Sequence, residues 1–589
     1  MPVSCKERIL SNDYADWIID FELTDELLNR DTNDLDYCYR QVDRILGLIY
    51  TKRTQTEPIG LLNYPYQRLP NLFGLQELIT ESVGEVFDPS PLISSGIRSA
   101  GQEPLNLTGK GTITAFIDTG IDYRNPVFQN PDGSSRILAI WDQTIQEGMP
   151  PAGFEYGTEY KKEMIDRALQ NDDPLSVVPS IDENGHGTAV AGVACGSRIG
   201  EGAIFTGAAP EGDILVIKLK PCKQYLRDYY LIPQDVVAYQ ATDIIMALEY
   251  ADTFAVSFAR PVIFCLAISS SYGSHSGDSP LSNYMNRLAN KRSRVFVIGG
   301  GNEGNSSHHY EGDLSPRNGE QMEDREEIEI RVGENERGFI AEIWGKTPNI
   351  FSLSIRSPGG EEIPNTSVRA DRGIEYEFVY ERTNIIVSYA LVEGENGDEL
   401  ITVRFQNPTS GIWTMILQSE SGLKNAGFHV WLPISAFLSG ETYFLSPNPN
   451  ITLTLPGYTE NAITVSAYSD RNNSIYVRSG RGFSRGSEIK PDLAAPAVGI
   501  SAPLRGLPGE LRLGKVTGSA MAAALTAGAA AGFMQWAVIE RNANYLNSGE
   551  VKNYFIRGAV REGNLEYPNK LWGYGKLSLQ GIFDSLAEL

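Results

Sequence analysis

The sequence predicts an α/β protein built on a doubly wound parallel sheet, with a smaller α+β domain before it and a β-sandwich inserted within it. Apolar runs that end in a polar residue or glycine, as in residues 115–120 and 295–301, are typical of buried parallel strands. Residues 328–417 instead contain short stretches of alternating apolar and polar side chains separated by turns, which indicates a sandwich. The residues before position 98 carry strand and helix patterns of their own.

Length, composition and charge limit the function classes. At 589 residues the chain is too long for one compact domain, and 41% of its residues are hydrophobic, which is a globular composition. The phosphates of nucleic acids and anionic membrane surfaces would repel the formal net charge of −24. We therefore expect neither nucleic acid nor a membrane as a partner.

The predicted N-terminal α+β domain occupies residues 1–97. Residues 14–21 and 45–50 have the apolar and aromatic composition of strands, and residues 72–83 are predicted to form a helix. Residues 88–107 contain Pro, Ser and Gly in the pattern of an exposed linker.

The predicted sandwich occupies residues 311–458 and divides the α/β domain into residues 98–310 and 459–589. An insertion of this length between two strands of one sheet far exceeds what a loop requires. Five strand-like stretches support the prediction: residues 328–332, 340–344, 352–356, 401–405 and 413–417.

Two polar residues occur where a buried strand ends and where a small-residue helix begins. Asp118 ends an apolar run and is therefore expected at the carboxyl end of a parallel strand. His186 precedes a stretch rich in Ala, Gly and Val, and glycines on both sides of it allow close approach of another backbone. Taken singly, each pattern also occurs in α/β proteins without catalytic function. In a triad mechanism, a carboxylate orients an imidazole and the imidazole acts as the general base.

Three motifs in the order Asp, His, Ser resemble those of the subtilisin family of serine proteases. The third is Thr-Gly-Ser-Ala-Met-Ala-Ala at residues 517–523, which resembles the signature around the nucleophilic serine but has Ala520 in the serine position. The resemblance implies peptide-bond hydrolysis by a triad at Asp118, His186 and position 520. It also implies that the Asn302 side chain donates to the oxyanion.

The resemblance extends to the substrate cleft and implies that proteins or peptides are the substrates. Two short segments would form the walls of the S1 pocket, and the sequence does not set the preferred P1 side chain. The substrate-binding residues implied in this way are Ser271, Tyr272, Gly273, Gly299, Gly300 and Gly301.

Within this family the chain most resembles the Csp-type subtilases of clostridia and gut bacteria, which retain a prodomain and carry an inserted jelly-roll domain. The resemblance implies that residues 1–97 are a prodomain, an intramolecular chaperone and inhibitor bound in the cleft. Autoprocessing is then expected between Asp88 and Leu107. An unrelated N-terminal binding domain is the alternative.

Ala520 leaves two hypotheses from different classes. In the first, the chain is a serine endopeptidase precursor made inactive by an engineered Ser-to-Ala change, which the otherwise intact Asp118, His186 and Asn302 favour. In the second, Ala520 is natural and the chain is a pseudoprotease that acts as a binding or signalling protein, like the germination regulators among Csp-type relatives. Ser519 precedes the nucleophile position on a helix, rotated by about 100°, and is not expected to replace it.

Cysteine usage and the N-terminus bear on localisation. The five cysteines are odd in number and lack CxxC spacing, which indicates buried thiols in a reducing compartment and no disulfide framework or zinc site. The first residues lack the apolar core of a signal peptide, and no run of membrane-spanning length is expected. These features predict a cytoplasmic or spore-associated protein that becomes extracellular only by lysis or non-standard export.

No cofactor and no metal site are expected. Many subtilases bind calcium, but nothing in the sequence locates such a site, and residues 31–36 lack the Gly and closing Glu of a calcium loop. His308 and His309, with Glu311 and Asp313, are a weak metal candidate, because adjacent histidines point in different directions.

Overall fold

The α/β fold predicted from the sequence is confirmed by a computed structural model, in which helices cover both faces of a central sheet. The residues described are 3–20, 37–54, 59–61, 63–84, 87–200, 204–314, 325–366, 373–420, 426–506 and 509–587. Residues 31–36, in which no calcium loop was expected, lie outside these ranges.

An N-terminal part precedes the central sheet. Its elements are α1 (Cys5–Leu10), β1 (Tyr14–Asp20), β2 (Tyr37–Gln41), β3 (Leu46–Lys52), β4 (Leu72–Leu75) and β5 (Ile79–Val83). β1, β3 and β2 form an antiparallel sheet with β3 in the middle, so the two predicted strands of this part are confirmed. Leu48 and Tyr50 of β3 are buried in the same core as the helices of the central domain.

The central domain is interrupted by the inserted strands. Its first part contains α2 (Ser90–Ser94), α3 (Ile97–Ala100), β6 (Ile113–Asp118), β7 (Ile137–Asp142), β8 (Thr158–Lys161), α4 (Lys162–Leu169), α5 (His186–Cys195), β9 (Asp213–Lys218), α6 (Gln224–Tyr230), β10 (Tyr239–Gln240), α7 (Ala241–Phe258), β11 (Val262–Leu266), β12 (Ile268–Ser269), α8 (Pro280–Ala289) and β13 (Arg294–Gly299). The inserted strands are β14 (His309–Asp313), β15 (Arg325–Val332), β16 (Gly338–Gly345), β17 (Phe351–Arg356), β18 (Glu362–Thr366), β19 (Ile374–Phe378), β20 (Thr383–Ala390), β21 (Glu399–Gln406), β22 (Gly411–Ser419), β23 (Gly427–Trp431) and β24 (Tyr443–Phe444). The second part contains β25 (Ile463–Ser469), β26 (Ser474–Ile475), β27 (Leu493–Pro496), β28 (Ile500–Leu504), β29 (Arg512–Thr517), α9 (Ser519–Met534), α10 (Ser548–Gly558) and α11 (Leu579–Ala587).

The central sheet has the strand order β26-β25-β13-β11-β6-β9-β7-β8, with β27 also beside β25. The strands from β25 to β7 are parallel, and the short edge strands β8 and β26 are antiparallel. Phe116 of β6 faces the core shared with α5 and α9, whereas Ala115 and Ile117 face the core shared with α7 and α8. Burial of both faces explains the continuous apolar runs, and parallel pairing places the carboxyl ends of β6, β11 and β13 at one edge.

The inserted strands form two antiparallel sheets, β14-β23-β16-β21-β20-β19 and β18-β17-β22-β15-β24. Buried side chains from both sheets, among them Phe339, Phe405 and Trp413, share one core, so the sheets are packed as a sandwich. The five stretches predicted as strands correspond to β15, β16, β17, β21 and β22.

Two predictions for residues 72–107 are wrong. Residues 72–83 form no helix, because β4 pairs with β10 and β12 and β5 pairs with β29, all far along the chain. Residues 88–107 are no exposed linker, because α2 and α3 lie there and Leu92, Ile97 and Leu107 are buried in the central core. In both cases tertiary contacts override the local composition.

Two further expectations are corrected. Cys5 and Cys38 form a disulfide that joins α1 to β2, so the expectation of no disulfide was wrong for this pair, while Cys195, Cys222 and Cys265 are free and buried. The helical segment Ser519–Ile539 has 21 residues and is apolar enough to cross a membrane, although no such run was expected. Because 83% of its most apolar window is buried inside the protein, it is the core helix of the central domain.

Candidate active site

Asp118 and His186 meet at the carboxyl edge of the central sheet. Asp118 is the last residue of β6, and His186 is the first residue of α5. The imidazole Nδ1 lies 2.8 Å from Asp118 Oδ1 and 3.0 Å from Oδ2, and both side chains are buried. In this arrangement a carboxylate orients a histidine and stabilises its protonated form.

A second buried carboxylate, Asp182, fixes the two segments that carry this pair. Its Oδ1 accepts hydrogen bonds from the Thr119 hydroxyl and the Gly185 N–H, both at 2.8 Å. Its Oδ2 accepts from the N–H and the hydroxyl of Thr188 in the first turn of α5, at 2.8 and 2.7 Å. Asp182 was not among the site residues predicted from the sequence. The sequence did contain a signal for it, because a carboxylate just before the start of a helix can accept hydrogen bonds from the free N–H groups there.

Both nitrogens of the His186 ring have an acceptor. Nε2 lies 3.0 Å from the backbone carbonyl oxygen of Gln76. Burial, the strongest single influence, lowers the pKa of His186, but the charge and hydrogen bond of Asp118 and the Gln76 carbonyl together raise that pKa above its ordinary value. The imidazolium is therefore favoured more than in an ordinary histidine, and each ring nitrogen faces an oxygen that accepts hydrogen bonds.

Asn302 contacts both the residue before Ala520 and the residue after Gln76, whose carbonyl oxygen lies by the histidine. Asn302 Oδ1 accepts a hydrogen bond from the backbone N–H of Ser519 at 3.0 Å, and its Nδ2 donates to the carbonyl oxygen of Glu77 at 2.9 Å. Ala520 lies in the first turn of α9 and is fully buried. The site therefore holds an oriented imidazole and a side-chain amide, and residue 520, predicted from the sequence motif as the nucleophile position, carries only a methyl group.

The cleft beside these residues is filled by the chain itself. β4 lies between β10 and β12 and is antiparallel to both, with Phe73 opposite Tyr239 and Gly74 opposite Ser269. β5 continues on the other side of the site as an antiparallel partner of β29. Extended peptides bind protein sheets in this way, by adding a strand.

The peptide bond between Gln76 and Glu77 joins these two strands and lies at the catalytic residues. The Gln76 N–H donates to the carbonyl of Ala267 at 3.0 Å, and the Gln76 side chain enters a pocket where it is fully buried. A Cβ atom on Gly299 would lie 1.9 Å from Gln76 Oε1, so only glycine at that position leaves room for the side chain. Gln76 thus occupies the pocket next to the candidate catalytic residues.

The predicted substrate-binding residues fall into two groups. Gly299 contacts Gln76 directly, and Gly300 and Gly301 follow it, packed against Leu453 and Thr454. Ser271, Tyr272 and Gly273 lie beyond β12, where Gly273 N–H donates to Glu342 at 2.8 Å. The strand that pairs with β4 is Ile268–Ser269. The serine run 269–271 permits several registers, and the sequence alone does not choose among them.

The four remaining histidines lie between the central domain and the sandwich. His308 Nδ1 is 3.1 Å from Glu303, His309 Nε2 is 3.0 Å from His429 Nδ1, and His275 stacks on Trp431 at 3.9 Å. Burial lowers the pKa of His275 and His429 well below the usual value and that of His309 to about 4. Over the described ranges, no three or more His, Cys, Asp or Glu side chains are grouped to hold a metal ion.

Comparison with known proteins agrees with this arrangement of a carboxylate, a histidine and a side-chain amide at one sheet edge. The model of the subtilase family, Peptidase S8, matches residues 109–324 and 439–575, which is more than half of the chain. The chain therefore belongs to the subtilase family. No curated protein sequence matches it.

Among solved structures, the Clostridium perfringens CspB protease matches with a TM-score of 0.74 and 29% identity, covering 85% of this chain and 100% of that one. Within the subtilases the chain is thus of the Csp type. The patellamide maturation protease PatA matches with a TM-score of 0.38 and 11% identity, covering 81% of this chain and 98% of that one. MycP1 from Mycobacterium smegmatis matches with a TM-score of 0.35 and 13% identity, covering 86% and 90%.

Proposed function

We propose that the chain is built as the precursor of a subtilisin-type serine endopeptidase and that its first substrate is its own Gln76–Glu77 bond. One observation carries the proposal: the Gln76 side chain fills the pocket beside Gly299 while the Gln76 carbonyl oxygen lies 3.0 Å from His186 Nε2. In a serine protease, the residue in the S1 pocket supplies the carbonyl that is attacked. Residues 1–76 would then be the prodomain, and the cut would precede the region first expected to contain it.

The contacts define what each residue would do if residue 520 were serine. Its hydroxyl would attack the Gln76 carbonyl carbon while His186 Nε2 takes the hydroxyl proton and Asp118 stabilises the imidazolium. His186 cannot take that proton while Nε2 donates to the Gln76 oxygen, so this oxygen must first turn away from the ring. Asn302 Nδ2, which donates to the neighbouring carbonyl of Glu77 at 2.9 Å, is the donor we expect to receive it.

Ala520 has no hydroxyl, so the attack on the Gln76 carbonyl carbon cannot take place. Loss of the nucleophile costs on the order of 10⁶ in turnover, because the triad residues act as a unit. The chain is therefore expected to remain uncut, with residues 72–83 in the cleft.

A second candidate is a regulatory protein without catalytic activity, if Ala520 is the residue of the natural chain. The observation in its favour is the same uncut segment, which fills the cleft on both sides of the Gln76–Glu77 bond. Such a chain would bind partners through other surfaces, in line with the signalling role implied by the resemblance. The intact Asp118–His186 pair and Asn302 favour a competent protease stopped at one residue.

Restoring the hydroxyl tests both candidates. Ala520→Ser is expected to cut the chain after Gln76, leave Glu77 as the new N-terminus and cleave a peptide of residues 72–83. The same change combined with His186→Ala is the control that should stay uncut. Mass spectrometry and N-terminal sequencing identify the bond. If the Ala520→Ser chain neither cuts itself nor cleaves the peptide, the endopeptidase proposal fails and the regulatory candidate replaces it.

A further inference from the structure

The side-chain amide of Gln76 has a protein partner on each of its polar atoms. Nε2 donates to the backbone carbonyls of Gly299 at 2.6 Å and Ile268 at 3.2 Å. Oε1 accepts a hydrogen bond from the Ser519 hydroxyl at 3.1 Å. Because carbonyl oxygens only accept, the pocket fixes which end of the amide carries the N–H groups.

We propose that this pocket is an S1 subsite selective for glutamine and that the Ser519 hydroxyl determines the selectivity. The inference rests on the proposed function in taking Gln76 as the P1 residue, and it adds the substrate class: peptides cut after a primary amide side chain. None of these contacts to the Gln76 amide comes from a charged side chain; they come from two backbone carbonyls and one hydroxyl.

Other P1 side chains of similar size would leave these groups unpaired. Glutamate would place a carboxylate oxygen against the carbonyls of Gly299 and Ile268, which offer it no proton. Methionine would fill the volume but leave both carbonyls and the hydroxyl without partners in a fully buried site. Sites built to hydrogen-bond a substrate group reject analogues that lack it far more strongly than apolar pockets reject a missing methylene.

The position of Ser519 suits it to bind the P1 amide and not to replace the missing nucleophile. It is fully buried, and its backbone N–H is held by Asn302 Oδ1 at 3.0 Å. Its hydroxyl points at the end of the P1 side chain, whereas the bond to be cut lies at His186. Removing this hydroxyl should therefore change which P1 residue is preferred and leave the triad intact.

The first test uses the Ala520→Ser chain and peptides of residues 72–83 with Gln, Glu or Met at position 76. We expect kcat/KM for Gln to exceed that for Glu and Met by at least about 100-fold. Ser519→Ala should reduce the Gln-to-Met ratio by about tenfold, the value of one hydrogen bond, and Ser519→Thr should restore it. Thr526→Val, which removes a hydroxyl bonded within the same helix to Ala522, should leave the ratio unchanged.

Equal rates for Gln and Met, or a Ser519→Ala effect that is the same for all three peptides, would overturn the proposal. If the Ala520→Ser chain cuts none of the peptides, the proposed function has failed and selectivity is measured as binding in the uncut Ala520 chain. There, Gln76→Met should raise the rate at which added glutamyl endopeptidase cuts after Glu77 by about tenfold or more, through lost hydrogen bonds. An unchanged rate would show that the pocket does not recognise the amide.

Discussion

The two halves of the segment in the cleft are held by different means. β4, before the Gln76–Glu77 bond, has three of its four residues buried, including Leu72 and Phe73. β5, after that bond, has four of its five residues exposed, with Ile79 at 43% and Val83 at 48% exposure. Both halves pair with strands of the central domain, so the backbone binds on both sides, but only β4 is also held by its side chains.

Because of this difference, we expect the segments before and after the bond to stay docked with different strength. Side-chain burial contributes stability in proportion to the apolar area removed from water, whereas paired backbone groups mainly exchange one set of hydrogen bonds for another. A chain cut after Gln76 would therefore keep residues 1–76 docked more firmly than the new N-terminal arm. The arm is held at an open sheet edge, which is the arrangement that another extended peptide could replace.

The largest expected effect comes from the buried half. Phe73→Ala removes a side chain that is 1% exposed and should make local opening of the segment easier by about 3–5 kcal/mol. The measurement is the rate at which glutamyl endopeptidase cuts the uncut Ala520 chain after Glu77, which reports the population of the opened segment. A rate within twofold of the parent would show that burial of β4 does not hold the segment.

A buried carboxylate makes the same half sensitive to pH. Glu342 of the sandwich accepts hydrogen bonds from the Tyr66 hydroxyl and the Gly273 N–H, both at 2.8 Å, and so joins three parts of the molecule beside β4. Burial raises the pKa of Glu342 to about 7, against 4.5 for the unperturbed group. The folded protein binds the Glu342 proton more tightly than the unfolded chain does, so this group makes the fold less stable as pH rises from about 4.5 to about 7.

Glu342→Gln should remove that dependence. The difference in unfolding free energy between variant and parent is expected to move in favour of the variant by about 1–3 kcal/mol between pH 5 and pH 8. Thermal unfolding measured across this range provides the test, and Glu377→Gln, an exposed carboxylate of the sandwich, is the control that should show a flat difference. If the difference in unfolding free energy between Glu342→Gln and the parent were also independent of pH, Glu342 would not be a source of pH-dependent stability.

A smaller effect is expected from steric fit at β4. A Cβ atom on Gly74 would lie 2.7 Å from Ile434 Cδ1 and 3.2 Å from Phe437 Cε1, two buried side chains. Gly74→Ala should weaken docking of the segment by about 1–3 kcal/mol, the usual cost of overpacking. The same proteolysis assay applies, with Gly427→Ala as control, since a Cβ there would meet open space. If Gly74→Ala did not change the rate of cutting after Glu77, the side chains of Ile434 and Phe437 would have moved to make room for the added methyl group.

The sequence identified two residues that meet at the site, Asp118 and His186, but not the segment that fills the cleft. Asp118 and His186 could be found because each lies at the end of its own strand or helix, with a local motif. Gln76 could not, because its pocket is made by Ile268, Gly299 and Ser519, which lie about 190 to 440 residues further along the chain. The helix predicted over 72–83 failed for the same reason, since both strands there are completed by distant partners. Cys5 and Cys38 lie in separate elements, so their pairing also depended on the fold.

The smallest expected effect is the one that best separates the two halves. Val83→Ala on β5 shortens a side chain that is 48% exposed, and it should change opening of the segment by no more than about 0.5 kcal/mol. Its backbone pairing with Gly514 is untouched by the change, so the main-chain contacts that hold β5 remain. The assay is again cutting after Glu77, with Phe73→Ala measured beside it. If Val83→Ala loosened the segment as much as Phe73→Ala does, side chains would hold both halves, and the arm after the bond would be as firmly docked as the residues before it.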